Sequence, residues 1–301
     1  MNHLLKTDAP VLSVLIVNWN TRELLRACLQ SLRRYPLSEP MEVWVLDNAS
    51  HDGSAQTVQT EFPEVHLIAS ERNLGYAAGN NLLLQKAQGE YLLLLNPDTE
   101  VTAGALDTAV QYMRQNPDVA ALGAKLIHPD GRVQRSVRGF PEPEAVMWEY
   151  LGLARLFPRS RRFGAYRMTW FTYDHIAEVD QPMGTFLMLS RRAVSAVGLM
   201  DERFPIFFNE VDWCYRAKGM GFRIVFHPGV VIIHHGGAST RQVRPQMIWE
   251  SHRSLQKFYA KHYRQRLPKL IYWLIVASIT LNVWLKTLGK GREGWQSERT
   301  T

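Results

Sequence analysis

The sequence predicts an α/β fold: a doubly wound parallel sheet with helices on both faces, followed by a helical tail. Short apolar runs recur along the chain, and a helical pattern follows most of them. The runs are apolar throughout instead of alternating, which is typical of strands in a parallel sheet covered on both sides. Alternation of strands and helices indicates right-handed β-α crossovers.

The most pronounced run is Tyr91 to Leu95, which is followed by Asn-Pro-Asp. Pro97 has no N–H to donate, so the strand ends there. Asp98 then lies at the carboxyl end of a buried strand, the edge where open α/β sheets bind ligands. A purely structural role is equally open at this point, with Thr99 or Thr102 capping the next helix.

The other elements follow in order. Thr21 is expected to cap the helix after the first strand. The small residues at 73–81 begin a helix whose backbone N–H groups can approach phosphates closely. Residues 129–131 (Pro-Asp-Gly) predict a hairpin turn, whereas 138–175 has little periodicity. Further strands are expected at Val11–Val17, Met41–Leu46, Val65–Ala69, Val119–Ala124, Gly184–Ser190, Phe222–Phe226 and Val230–Ile233.

The net charge of +7 is concentrated in the tail. From residue 241 onward there are twelve Lys and Arg against three acidic residues, so the preceding body carries about −2. This distribution argues against a nucleic-acid groove across the body and favours contact between the tail and an anionic surface. The two cysteines indicate no disulfide framework, and the absence of a signal-peptide pattern fits a reducing cytosol.

Two carboxylates begin a helix near Phe208, and their spacing separates their roles. Asp212 has Arg216 four residues later, in the favourable order, and is expected to form a surface ion pair. Glu210 has Cys214 at that spacing, so it is the carboxylate available for chemistry. The acidic first turn also suits the helix dipole, which is the structural explanation for both.

Eight motifs occur in order between residues 11 and 240. They are VLSVLIVNWN (11–20), VLDNASHDGS (45–54), NLGYAAGNN (73–81), LNPDT (95–99), GTFLMLSRRA (184–193), DERF (201–204), NEVDWCYR (209–216) and HHGGAST (234–240). Together they resemble inverting glycosyltransferases of family 2, which have a GT-A fold, and especially their rhamnosyltransferase-like members. The resemblance implies a catalytic domain over 1–241. Because segment 138–175 is long and irregular, we interpret it as a variable insertion on the acceptor side.

The resemblance also implies which residues bind the nucleotide-diphosphate sugar. Asn18 and Asp47 would contact the base and ribose. Asp52, Asn73 and Asn80 would lie near the nucleotide and the diphosphate.

For the metal and the chemistry, the resemblance implies three residues. Asp98 would hold Mg²⁺ or Mn²⁺, His234 would be a further ligand of that ion, and Glu210 would be the general base. Two positions depart from the family pattern. Asn96 replaces the first acid of Asp-x-Asp, and Asn209 precedes Glu210 where the family often has Glu-Asp.

These expectations describe an inverting enzyme of cell-surface polysaccharide synthesis, with rhamnose as a candidate sugar and a glycan or polyprenyl-linked acceptor. Because Asn96 and Asn209 depart from the acidic residues of the family pattern, a catalytically inactive scaffold that binds nucleotide sugars is an alternative. A nucleotidyltransferase is the other alternative, although it would need a basic phosphate loop after the first strand, and 18–21 offers none.

The tail, 242–301, is expected to hold the enzyme at the inner, cytoplasmic face of the cell membrane. A basic amphipathic helix is predicted over 244–266, and sixteen uncharged residues follow between Lys269 and Lys286. Sixteen helical residues span about 24 Å, short of the roughly 30 Å of a bilayer core, so the helix would lie in the interface. Packing of the tail on the body or in a homodimer is the alternative.

Overall fold

The computed structural model describes residues 9–236 and 244–281. The strands are β1 (Leu12–Asn18), β2 (Met41–Asp47), β3 (His66–Ala69), β4 (Tyr91–Leu95), β5 (Thr99–Val101), β6 (Val119–Ile127), β7 (Val137–Arg138), β8 (Ala177–Glu178), β9 (Gln181–Pro182), β10 (Phe186–Ser190) and β11 (Arg223–His234). The helices are α1 (Arg22–Arg34), α2 (Ser54–Glu61), α3 (Tyr76–Lys86), α4 (Ala105–Gln115), α5 (Pro143–Tyr150), α6 (Leu153–Leu156), α7 (Arg191–Val197), α8 (Asn209–Gly219), α9 (Arg244–His262) and α10 (269–281).

One nine-stranded sheet has the order β3-β2-β1-β4-β10-β6-β11-β5, with β8 paired to β11 beside that path. The pairs among β1 to β4 are parallel, as is the pair of β6 with β11. The predicted α/β fold with a mostly parallel sheet is confirmed. The small pair of β7 with β9 lies apart from the main sheet.

The direction of β10 differs from the all-parallel prediction, because it runs antiparallel to both β4 and β6. The chain leaves β6 at its carboxyl end and re-enters the sheet at the same edge, where Phe186 lies opposite Leu95. A strand that starts where its neighbours finish has to run backwards. Gly123 in β6 permits this path, because a Cβ there would lie 2.2 Å from the Cβ of Pro182.

The two strands predicted over 222–226 and 230–233 form one continuous strand, β11. Its register against β6 shifts between His227 and Val231, a local irregularity of the kind that bulges introduce. Pro228 lies within the shift and cannot donate a ladder hydrogen bond. The strand ends at His234, one residue beyond the predicted end at Ile233.

Helices cover both faces of the sheet, as predicted. Apolar residues of α1, α2 and α4 form one buried layer, and those of α3, α7 and α8 form the other. The alternative in which Thr99 or Thr102 caps the next helix is not observed: Thr99 lies in β5, and α4 begins after Gly104, whose φ of 72° is in the left-handed region. Thr21 precedes α1, but its side chain makes no capping hydrogen bond.

The described part of the tail shares the second of these layers. Phe258 and Tyr259 of α9 are fully buried, and Tyr272 and Ile279 of α10 are buried with them. Helix α9 therefore packs on the protein's own body, which was the alternative to a membrane-facing helix. Over the residues described, none of the helices combines the length and apolar character that crossing a bilayer requires.

Candidate active site

A large cavity opens beside the carboxyl ends of the central strands. Its volume is about 1380 Å³, and its wall includes four of the predicted site residues. The residues that it shares with the prediction are Asn73, Asp98, Glu210 and His234.

Asn18 and Asp47 lie side by side, because β1 and β2 are parallel and in register at their carboxyl ends. The amide of Asn18 donates to Asp47 Oδ1 at 3.0 Å and accepts from Thr21 Oγ1 at 2.6 Å. The backbone N–H of Ser50 donates to the other carboxylate oxygen of Asp47 at 3.0 Å. This buried network holds the carboxyl ends of β1 and β2 together beside the cavity. Contact of Asn18 and Asp47 with a nucleotide stays a prediction.

Asp52 joins the first turns of two helices. Its Oδ2 accepts from the backbone N–H of Arg22, at the start of α1, at 2.8 Å. Its Oδ1 accepts from the backbone and hydroxyl of Ser54 in α2 at 3.0 and 2.6 Å. Burial raises the pKa of Asp52, but these hydrogen bonds outweigh it and hold the pKa below its usual range. Asp52 thus caps the helix that Thr21 was expected to cap.

Asn73 is held in the cavity wall by Asn48, a residue that the sequence analysis did not single out. The amide of Asn48 donates to Asn73 Oδ1 at 2.9 Å and accepts from the backbone N–H of Leu74 at 2.7 Å. Asn80 is different, because it is buried within α3 and donates to the carbonyl of Tyr76 at 2.9 Å. Asn80 is not part of the cavity wall, so its predicted contact with the nucleotide is untested.

Asp98 and His234 meet because the β5–β11 ladder places His234 opposite Thr99. His234 Nε2 lies 3.4 Å from Asp98 Oδ2. His234 Nδ1 lies 2.5 Å from Gln134 Oε1, so Nδ1 carries the proton that Gln134 accepts. Gln134, which sequence analysis missed, therefore directs Nε2 towards Asp98. Within residues 9–236 and 244–281, no three metal-ligating side chains cluster together.

Glu210 lies in the first turn of α8, on the wall of the cavity. Its surroundings raise the pKa of Glu210 to about 6, because burial disfavours the charged carboxylate more than the Glu210 and Val211 backbone N–H groups favour it. Phe208, just before the helix, has a φ of 70°. A bulky residue in the left-handed region is a strained conformation that is frequent at functional sites.

The structure contradicts the prediction that Asp212 belongs to a surface pair. The Arg216 contact exists, at 2.9 Å from Nε to Oδ2, but the Asp212 side chain is fully buried. Lys261 Nζ and His262 Nε2, both from α9, lie 2.6 and 2.8 Å from Oδ1. Burial raises the pKa of Asp212, whereas hydrogen bonds from His262, Lys261 and Arg216 outweigh it and lower the pKa. The spacing of residues within α8 gives no information about Lys261 and His262, which come from α9.

The far wall of the cavity comes from the insertion and the tail. The insertion contributes Arg138, Tyr150, Arg155 and Tyr166, and the tail contributes Ser251, His252 and Leu255. Helical periodicity identified α9 as an element but gave no sign that it borders the site.

Comparison with known proteins identifies the family. The family model described as Glycosyl transferase family 2 matches residues 13–176, more than half of the chain. The chain belongs to this glycosyltransferase family. The predicted resemblance is therefore confirmed at the level of the family.

Three relatives of this glycosyltransferase illustrate the range of similarity. An N-acetylglucosaminyl-diphospho-decaprenol L-rhamnosyltransferase of Mycobacterium tuberculosis is 27% identical over 90% of this chain and 91% of its own. A GalNAc(5)-diNAcBac-PP-undecaprenol beta-1,3-glucosyltransferase of Campylobacter jejuni is 29% identical over 43% of each chain. A mannosyltransferase structure from Pyrobaculum calidifontis, in complex with GDP-Man and Mn²⁺, has a TM-score of 0.56 at 18% identity, covering 90% of this chain and 69% of that one. The last similarity supports the GT-A fold.

Replacing Asp212 by Asn should destabilise this glycosyltransferase by about 3 kcal/mol, because Lys261 and Arg216 would lose their buried counter-charge. Urea unfolding at pH 7 measures the loss. The difference from wild type should shrink below about pH 4, because a depressed pKa gives stability that is present above the unfolded value and lost as the carboxyl protonates.

Asp118→Asn is the matched control, since Asp118 pairs with Arg223 on the exposed surface. Its unfolding midpoint should equal that of wild type. Equal midpoints for Asp212→Asn and Asp118→Asn would contradict a structural role for the buried cluster.

Proposed function

We propose that this protein is an inverting glycosyltransferase that moves a sugar, with rhamnose as the first candidate, from a nucleotide-diphosphate donor to a hydroxyl of a lipid-linked glycan. The observation that carries the proposal is Glu210, a carboxylate with its pKa raised to about 6, in the same cavity wall as Asp98 and His234. The mycobacterial relative, which acts on a diphospho-decaprenol substrate, supports a role in cell-surface polysaccharide synthesis.

Glu210 is proposed as the general base. Its carboxylate takes the proton of the acceptor hydroxyl as that oxygen bonds to the anomeric carbon, and the bond from that carbon to the diphosphate breaks. A pKa near 6 leaves the carboxylate ionised at neutral pH while keeping it basic enough to accept a proton. A single displacement of this kind inverts the anomeric centre, and no second carboxylate is needed as a nucleophile.

Asp98 and His234 suit a divalent cation. With the Nδ1 proton donated to Gln134, the lone pair of His234 Nε2 and the carboxylate of Asp98 converge, 3.4 Å apart. A carboxylate and an imidazole held by a hydrogen-bonded neighbour form a common donor set for such ions. Mg²⁺ or Mn²⁺ bound there would offset charge on the departing nucleoside diphosphate. Asn18, Asp47, Asp52, Asn73 and Asn80 are proposed to organise the nucleotide side.

Contact with the membrane is proposed for α10. One face of this helix carries exposed apolar residues with the spacing i, i+3, i+4, i+7 and i+11, while the opposite face packs on the body. Trp273 is 60% exposed and Leu274 is 61% exposed. An exposed apolar stripe with an interfacial Trp suits the boundary of a bilayer, and the exposed Arg264 and Lys269 suit anionic lipids. The exposed stripe consists of Leu270, Trp273, Leu274, Ala277 and Leu281.

Fewer basic residues are available to the membrane than the sequence suggested, because Lys261 of α9 pairs with Asp201 and Asp212. The peripheral position at the inner face of the membrane therefore rests on α10. A homodimer stays a prediction.

The first test is transfer itself, compared between wild type and Glu210→Gln. Wild type should transfer sugar from one of a panel of nucleotide sugars to N-acetylglucosaminyl diphosphate on a short prenyl chain, and NMR should show an inverted anomeric centre. Glu210→Gln should lower kcat by about 10²–10⁴-fold, because the amide cannot accept the proton. For wild type, kcat/KM should fall tenfold per pH unit below about pH 6, where Glu210 becomes protonated.

Glu202→Gln is the control, because Glu202 is exposed and outside the cavity wall. It should keep the wild-type rate and pH profile. A retained anomeric configuration, or full activity in Glu210→Gln, would reject the mechanism.

The second test concerns the metal. Manganese should tighten binding of a nucleoside diphosphate to wild type in calorimetry, and Asp98→Asn should abolish that effect. Gln134→Leu should weaken the effect by about 10–100-fold, because the residue that orients a metal-binding histidine is lost. Glu100→Gln, which alters a carboxylate bonded to His235 instead, should behave as wild type. Equal manganese dependence in all four proteins would exclude this site.

The third test uses anionic liposomes and the full chain. Truncation at 241 would remove buried side chains of α9, so substitution is the cleaner change. Trp273→Ser combined with Leu274→Ser should reduce sedimentation with liposomes, whereas Met220→Ser, an equally exposed apolar position on the body, should not. High salt should weaken wild-type binding without abolishing it, because apolar burial is not screened. Equal sedimentation of the three proteins would remove the membrane role of α10.

A further inference from the structure

The far wall of the cavity carries an excess of positive charge. Arg138, Arg155 and Arg167 lie in this wall together with one carboxylate, Glu149. Glu149 is already neutralised, because Arg167 Nε lies 2.6 Å from its Oε1. Across the described ranges, no carboxylate comes within ion-pair distance of Arg138 or Arg155. Two cations without a counter-charge in a cavity wall form a site for an anion.

Arg138 is held in place before any ligand arrives. Its backbone pairs with Gln181 in the β7–β9 ladder. The next residue, Gly139, donates its N–H to the carbonyl of Tyr166 at 2.9 Å, and a Cβ on Gly139 would lie 2.3 Å from the carbonyl oxygen of Ala165. The guanidinium of Arg138 lies 5.8 Å from the centre of the Tyr166 ring. A side chain held in this way loses little entropy when it binds an anion.

Two tyrosines of the cavity wall, Tyr76 and Tyr166, link this cation with the proposed base. Burial raises the pKa of Tyr76, and the charges of Glu210 and Asp98 raise it further. Burial also raises the pKa of Tyr166, where Arg138 acts in the opposite direction and Glu210 adds to the increase. The Tyr76 hydroxyl donates to the carbonyl of Gly184 at 3.1 Å, and a Cβ on Gly184 would lie 3.6 Å from Glu210 Cδ. Tyr76 and Glu210 therefore border the same part of the cavity, and the Tyr166 ring beside Arg138 lines that cavity as well.

Arg155 lies among exposed apolar residues. Leu151, Leu156 and Phe157 are 62%, 71% and 51% exposed. Such a group of large apolar side chains is unusual next to a polar cavity and marks a binding surface for an apolar ligand. The combination of arginines inside the rim and apolar residues outside it fits a ligand in which an anionic group joins a polar sugar to a hydrocarbon chain.

We propose that Arg138 and Arg155, in the far wall of the cavity, bind the diphosphate of a prenyl-diphosphate-linked acceptor. The guanidinium groups offer paired N–H donors to phosphate oxygens. The acceptor sugar then lies between the arginines and Glu210, and the prenyl chain leaves past Leu151, Leu156 and Phe157. This inference rests on the proposed function, because it assigns the acceptor of that reaction to particular residues.

Binding of farnesyl diphosphate, in the presence of saturating nucleoside diphosphate and Mn²⁺, tests the site without requiring turnover. Arg138→Gln and Arg155→Gln should each weaken this binding by about tenfold or more, the usual effect of losing a charge-assisted hydrogen bond. Arg159→Gln is the matched control, since Arg159 is exposed, four residues from Arg155, and outside the cavity wall. It should bind as wild type does.

Steady-state kinetics provide the second measurement. For N-acetylglucosaminyl diphosphate on a short prenyl chain, the two variants should raise KM about tenfold with little change in kcat. For an alkyl N-acetylglucosaminide, which has the same hydroxyls but no diphosphate, KM should stay at the wild-type value. The Kd of the nucleotide sugar should also be unchanged.

The outcomes separate the two proposals. Equal farnesyl diphosphate binding by wild type and both variants, or weakened nucleotide-sugar binding in the variants, would overturn the acceptor site. Arginine-dependent binding of farnesyl diphosphate without sugar transfer to any acceptor would leave the site standing and reject the proposed function. Because Arg155 is exposed, its variant should fold even if Arg138→Gln does not.

Discussion

The buried charge of Asp212 couples the tail to the rest of the molecule. A carboxylate removed from water costs several kcal/mol unless cations and hydrogen bonds compensate it. Here Lys261 and His262 come from α9, and Arg216 comes from the same helix as Asp212. Because α8 cannot keep this charge buried without α9, the described residues after 241 belong to the folded body. The buried rings of Phe258 and Tyr259 add about 2 kcal/mol each by the usual value for burial.

This coupling reaches the proposed base. Glu210 and Asp212 are two residues apart on α8, yet their pKa values shift in opposite directions. Burial dominates for Glu210, whereas the hydrogen bonds from His262, Lys261 and Arg216 outweigh burial for Asp212. Phe208, with its left-handed backbone, contacts Phe258 of α9 with a centroid distance of 5.8 Å. The tail therefore supports the start of the helix that carries Glu210, and it does so by packing and charge together.

The parts of the fold that follow from local pattern could be predicted. Runs of apolar residues identify buried strands, and parallel strands necessarily bring their carboxyl ends to one edge, as with Asn18 and Asp47. The direction of β10 could not be predicted, since it depends on where a long connection re-enters the sheet. Two contacts join residues that are far apart in the sequence: Gln134 bonds to His234, and Lys261 pairs with Asp212. A single sequence offers no periodicity for such contacts.

The two sides of the cavity depend on different kinds of structure. The side with Asp98 and His234 is built from strand ends in one sheet, whose positions are set by hydrogen-bonded register. The side with Arg138 and Arg155 is built from a two-residue strand and a short helix of an irregular segment, bordered by α9. Changes in a surface segment leave the register of a buried sheet intact, whereas changes in strand ends do not. In the proposed reaction, recognition of the donor can therefore stay constant while recognition of the acceptor varies, with the proposed base Glu210 between the two sides.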